Sequence, residues 1–180
     1  ALKKEHPLLL FYILKEYNFS SCVIEQIQKS LDAEAGKAFF SESHRLIKDR
    51  HFIYIEKRKY KVQQFNYRIQ KDVQGITNPI HLKIAISKEI VFSKEKNIAT
   101  FDYDQLQFPL VLRKWIEGDS FHPFGMKGKK LVSDFFIDNK FSIIDKENAW
   151  LLCSGTNIIW VVGFRIDDRY KITNNTQTVY

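Results

Sequence analysis

Five consecutive apolar residues, Ile158-Ile159-Trp160-Val161-Val162, constrain this chain more than any other stretch. Side chains of a strand alternate between two faces, so a run without a polar break buries both. The run predicts a central strand covered on each side. Ser154-Gly155-Thr156 precedes it with turn chemistry, so residues 149–153 and 157–165 read as a hairpin.

The rest of the chain divides by period. Pro7 suits a helix start, where its missing N–H is no loss, and residues 8–17 continue as a mostly apolar helix that Asn18 ends. Ser20 and Ser21 can cap a second helix with Val23, Ile24, Ile27 and Leu31 on one face. So short a connection predicts an antiparallel helix pair. After Gly36 the signal becomes that of strands. Expected strands are 38–40, a segment within 45–56, 60–69, 81–86, 89–92, 99–103 and 108–114. In Phe52-Ile53-Tyr54-Ile55 both faces are apolar, so that strand is either covered on both sides or carries aromatics at its margin. A loop at 117–128 and one main helix at 129–139 follow. The fold class is α+β: a short N-terminal helical pair, then a sheet-rich mixed domain. The boundary is placed near 58–61, giving units 1–58 and 59–180.

Charge narrows the partner. The net charge is +7, and residues 43–71 alone hold nine Lys and Arg against two acids. A basic balance of this kind favours nucleic acid or an anionic surface. The longest apolar runs are far shorter than the roughly 20 residues of a membrane span. Cys22 and Cys153 are far apart and unpatterned, which predicts two reduced thiols in apolar surroundings and a cytosolic protein. Ala1, without a Met, runs almost directly into an apolar helix, as an excised fragment would; a processed N-terminus would look the same.

The stretch from Arg113 to Leu131, RKWIEGDSFHPFGMKGKKL, is the most informative for function. A strand ends in two cations, an aromatic and glycine-bearing loop follows, and the expected helix opens on Lys129 and Lys130. Lysines oppose the partial positive charge of a helix N-terminus, whereas a bound polyanion would reverse the sign of that effect. The expectation is a phosphate cradle formed by residues 125–128 and the helix start, with Lys127, Lys129 and Lys130 supplying charge and Arg113 and Lys114 flanking. The bland alternative is that these lysines point into water.

From Glu117 to Asp138 the sequence EGDSFHPFGMKGKKLVSDFFID resembles the signature of the C-terminal domain of the tRNA(Ile)-lysidine synthetases. The ending WLLCSG, then IWVVGFRIDDRY, is similar to that family's last strand pair. The likeness is specific over about 110–173, and residues 1–58 look like the end of the family's central helical domain. Glu117 and Ser142 stand where the family often has Pro, and Ser120 stands where it often has Arg.

The resemblance implies a fold similar to the B3/B4-like module of tRNA synthetases. It also implies a parent enzyme that uses ATP, with magnesium, to join lysine to the wobble cytidine of tRNA(Ile), forming lysidine. ATP and lysine would bind an N-terminal domain with a Ser-Gly-Gly-x-Asp-Ser loop. That motif is absent from this sequence, so no cofactor is expected on this chain. The chain is then the RNA-gripping part, with Arg113, Lys114, His122, Lys127, Lys129, Lys130 and Arg165 as its RNA-binding candidates and no catalytic or metal-binding residue.

Other candidates read blandly. His122 has no nucleophile elbow beside it. Asp102 and Asp104 share a face if 99–103 is a strand, but hard cations want more oxygens. His44 and His51 lack zinc-like partners, and Trp115 and Phe121 suit core or rim. The alternatives are a self-association module without RNA contact, giving a homodimer, and a free-standing small-molecule enzyme.

Overall fold

The structure, a computed structural model, describes residues 7–33, 36–50, 52–58, 65–90, 93 and 95–180. The chain forms two compact units, one of residues 1–63 with 142–144, the other of residues 64–141 with 145–180.

In the first unit α1 (Pro7–Glu16) and α2 (Ser21–Ser30) join through Asn18, whose φ is 60°. Asn is among the few residues that adopt this left-handed geometry cheaply. Ser20 caps α2, its hydroxyl accepting from the Val23 N–H at 3.4 Å. Leu10, Leu14, Phe19, Ile24 and Ile27 are buried between the helices and a sheet of β1 (Lys37–Phe40), β2 (His44–Lys48) and β3 (Ile53–Lys57). All pairings are antiparallel, and Phe39, Leu46 and Ile55 align across the sheet toward the helices. Each such fully buried side chain contributes about 1.5–3 kcal/mol relative to exposure.

The 45–56 stretch contains two strands. Asp49 N–H donates to the Phe52 carbonyl and closes a turn between them. Phe52 and Tyr54 are 64% and 39% exposed, so the aromatics lie at a margin rather than under a second layer.

The second unit is built on a five-stranded antiparallel sheet in the order β12-β11-β10-β7-β4. Its strands are β4 (Tyr67–Ile69), β7 (Leu110–Lys114), β10 (Trp150–Ser154), β11 (Asn157–Val161) and β12 (Arg165–Ile166). Two small ribbons accompany it, β5 (Gly75–Ile76) with β6 (Leu82–Lys83) and β8 (Ser120–Phe121) with β9 (Lys130–Leu131). Both faces of the large sheet are covered, as the apolar run requires. Leu151, Cys153, Ile158 and Val161 pack with Phe121 and with Val132, Phe135 and Phe136 of α3 (Val132–Asp138). Leu152, Ile159 and Trp160 pack on the other side with Ile69, Phe101, Leu110, Leu112 and Tyr170. The short helix α4 (Ile143–Asn148) leads into β10.

A bulge explains why Ile159 and Trp160 share one face. Leu152 pairs with Trp160 while Cys153 pairs with Ile158, leaving Ile159 as an extra residue in β11.

Several expected elements differ. The hairpin turn is Gly155-Thr156 alone, and 162–164 form a second turn before β12. Of 60–69 only β4 is a strand, residues 60–64 lying outside the described residues. Of 81–86 only β6 is extended, and residues 89–90 are not a strand, with 91–92 outside the described residues. Residues 99–103 are no strand either: Phe101 exchanges backbone bonds with Tyr180, and the chain then turns through 103–105. Asp102 caps that turn by accepting from Asp104 N–H at 3.2 Å and from Thr176 at 2.8 Å. Asp102 is buried and hydrogen-bonded while Asp104 is exposed, so the two carboxylates do not share a strand face.

The main helix begins at Val132, not at Lys129. Lys130 and Leu131 are extended and pair with Phe121 and Ser120. The shift removes two lysines from the positive helix end and places Asp134 in the first turn, where a carboxylate is favoured.

Candidate nucleic-acid interface

The β8–β9 ribbon carries a loop of residues 122–129, of which 124–129 are exposed. Together with Lys130 that loop holds three lysines and no acid. Gly125 and Gly128 have φ of 78° and 84°, and nothing lies within 4 Å of where a Cβ would stand. They are required by backbone geometry rather than by packing, and the backbone there is open to a large partner.

The base of the loop is clamped to residues 166–168. Phe124 N–H donates to the Ile166 carbonyl at 2.9 Å, and Asp168 N–H to the His122 carbonyl at 2.7 Å. Asp167 is the hub, with its side chain 0% exposed. One carboxylate oxygen accepts from His122 N–H and an Arg169 Nη2–H; the other accepts from Arg169 N–H and Nε–H, all at 2.9 Å. Burial alone would push the Asp167 carboxyl up. The Arg169 guanidinium and the backbone N–H groups of His122 and Arg169 overcome that and hold it below the usual carboxylate range.

The expected RNA-contacting residues fall into two groups. Lys127 and Lys129 are exposed on the loop and make no ion pair among the described residues. His122 lies at the loop base with Nδ1 buried, 3.9 Å from Asp167 and without a hydrogen-bond partner among the described residues. Arg165 is brought to the same loop, its Nη1–H donating to the Phe124 carbonyl at 3.3 Å. The other three cations have intramolecular duties. Arg113 grips Asp119 through both nitrogens, at 2.7 and 2.8 Å. Lys114 Nζ stands 4.1 Å from the centre of the Trp150 ring. Lys130 pairs with Asp138.

These placements overturn the phosphate cradle at the helix start. No lysine lies in the first turn of α3, and that helix has only seven residues. Trp115 and Phe121 serve the core, Phe121 fully buried and Trp115 stacked edge-on to Phe136 with its N–H on the Lys146 carbonyl. Cys22 is exposed on α2, not in apolar surroundings, whereas Cys153 is buried. Burial pushes the Cys153 thiol up, only partly offset by Arg113. The residues that sequence reasoning passed over are Asp167, Phe124 and Lys171, the last paired with Asp168 at 2.9 Å. Phe124 stands between a buried Pro123 and Gly125 and is 43% exposed.

Among the described residues no group of three or more His, Cys, Asp or Glu is placed to hold a metal ion, and no helix is long and apolar enough to cross a membrane. The loop Gly125-Met126-Lys127-Gly128 lacks the Ser and Asp of a Ser-Gly-Gly-x-Asp-Ser phosphate loop and leads into a strand, not a helix.

The TilS substrate binding domain matches residues 1–58, and the TilS substrate C-terminal domain matches residues 110–180. The tRNA(Ile)-lysidine synthase of Parabacteroides distasonis is 46% identical over 175 residues, covering 95% of this chain and 40% of that protein. Those of Bacteroides thetaiotaomicron and Porphyromonas gingivalis are 38% and 31% identical, covering 94% and 97% of this chain and 38% and 42% of theirs. The chain therefore spans about two-fifths of the length of these curated relatives. A crystal structure of a TILS C-terminal domain superposes with a TM-score of 0.55 over 64% of this chain and 92% of that one. At 16% identity it speaks for the fold alone.

Proposed function

Since this chain belongs to the tRNA(Ile)-lysidine synthase family and carries its substrate-binding and C-terminal domains, we propose that it is the part of such an enzyme that grips tRNA(Ile). Residues 1–58 are the end of the central helical domain, and residues 59–180 form the C-terminal tRNA-binding domain, similar in fold to the B3/B4-like module of tRNA synthetases. The whole enzyme, a cytoplasmic ligase, spends ATP with magnesium to activate the wobble cytidine. The lysine amine then forms the new C–N bond of lysidine. Both steps belong to the catalytic domain, and this chain alone performs neither.

One observation carries the reading. The β8–β9 loop projects Lys127 and Lys129 without ion-pair partners among the described residues, beside Arg165 and above open glycine backbone. Unpaired cations on an exposed loop gain most from a polyphosphate, because nothing internal has to be given up. A shape-dependent partner fits better than a sequence-dependent one, since folded RNA is met through its backbone and 2′-hydroxyls.

The test is an equilibrium binding measurement with the purified chain, a tRNA(Ile) transcript and an unstructured RNA strand of equal length. The chain is expected to prefer the transcript, and to release no AMP or pyrophosphate when ATP and lysine are added. Equal affinity for both RNAs sinks the proposal. So does a concentration-dependent mass with no RNA affinity, which is the signature of a self-association module.

A further inference from the structure

The second unit contains a cavity of about 370 Å³ that tRNA gripping through lysines does not use. Its rim carries Phe124 and Phe164, 43% and 38% exposed. Trp160 forms part of its wall, and Lys96, Arg165 and Lys171 line it with one acid, Glu95. Lys171 Nζ also pairs with Asp168 at 2.9 Å, a half-exposed pair that Arg165 does not share. We propose that this cavity receives a single unpaired nucleotide of the bound RNA, its base stacked on Phe124 and its phosphate met by Arg165 and Lys171.

The position of each group is fixed by the fold. The Phe124 backbone is held on both sides, its N–H on the Ile166 carbonyl at 2.9 Å and its carbonyl under the Arg165 guanidinium at 3.3 Å. Lys171 Nζ stands 5.9 Å from the centre of the Phe124 ring, so the cation and the π face belong to one place. Phe164 is packed from behind by Phe141, with ring centres 4.3 Å apart. The β11 bulge turns Trp160 to the same face as Ile159. Its indole N–H is buried and has no hydrogen-bond partner among the described residues.

The chemistry selects the occupant. Exposed aromatic rings beside cations suit a ligand with a flat π face and an anionic group, which is what a nucleotide offers. A paired base would not serve, because its faces are taken by its own stack. The volume lies near the lower end of the roughly 300–1,000 Å³ range of ligand pockets, enough for one base but not a helix.

This inference rests on the tRNA-gripping reading, so the experiment separates the two. Wild-type chain, Phe124→Leu and Phe124→Trp are titrated with tRNA(Ile) transcript. The base faces of the RNA are probed chemically in each complex, and a melting curve checks each fold. Leu keeps the apolar volume but removes the ring, and Trp keeps a π face. Phe124→Leu is expected to bind about 5- to 150-fold more weakly. It should also lose protection at one or two bases that the wild type shields, and Phe124→Trp should restore both. If Phe124→Leu binds and protects like the wild type, the cavity holds no base and the tRNA reading stands. If the wild type itself fails to bind the transcript, both fall.

Discussion

Replacing Asp167 by Asn tests the clamp that holds the loop base. The carboxylate accepts four hydrogen bonds, two at each oxygen. Asn offers one oxygen and one NH2 group, so two donors lose their acceptor and face another donor. Bonds to a charged group contribute about 1.5–3 kcal/mol each, giving about 3–6 kcal/mol for the two. The Arg169 side chain is 42% exposed, so water restores part of its share and the lower end, about 3 kcal/mol, is expected. For a chain of this length that corresponds to a fall in Tm of roughly 6–12 °C. The pH dependence has a defined sign. The folded carboxyl lies below its usual range, so its contribution is complete above the unfolded value of about 3.9 and fades as pH falls through the depressed folded value. Melting curves of both proteins by circular dichroism, at neutral pH and in steps below about pH 4, read the effect directly. A gap of less than about 2 °C at neutral pH refutes the clamp. A gap that keeps its full size in strong acid refutes the ionised hub.

Three further outcomes follow from the same geometry. Changing Lys127 and Lys129 together to Gln should leave Tm unchanged and flatten the salt dependence of tRNA binding by about one or two phosphate contacts; an early melt in urea or heat would show that they serve the fold. Arg113→Met should leave the buried side of Asp119, 9% exposed, uncompensated and cost about 3 kcal/mol in a denaturant titration, whereas Arg113→Lys should recover only part of it. In a thiol titration of the native chain, Cys22 should react at once and Cys153 only after denaturant is added, because burial both hides the second thiol and raises its pKa.

What the sequence made legible was whatever a local pattern determines. The run at 158–162 announced a strand buried on both faces, and Ser20 announced a helix start, because burial and capping act over a few residues. The bulge at Ile159 was invisible, since five apolar residues read alike with or without a register step. Lys129-Lys130-Leu131 was read as helix because Leu131 and Phe135 stand one turn apart. Pairing with Ser120 and Phe121 decided otherwise, and that partner lies about ten residues away. The site was legible in its cations but not in their occupations. Nothing local reveals that Arg113 is tied to Asp119 and Lys130 to Asp138 while Lys127 and Lys129 remain exposed. Asp167 was missed because only its distant donor, the His122 N–H 45 residues away, marks it as a clamp; the three from Arg169 look like an ordinary local turn.

The central claim, that this chain grips tRNA(Ile) through exposed cations, is tested most directly by the affinity of the wild-type chain for the intact transcript across a salt series. Each neutralised phosphate contributes roughly 0.7–0.9 to the slope of log K against log salt, so Lys127, Lys129 and Arg165 predict a straight fall of about 2 to 3. A line that stays flat from low to physiological salt contradicts the account.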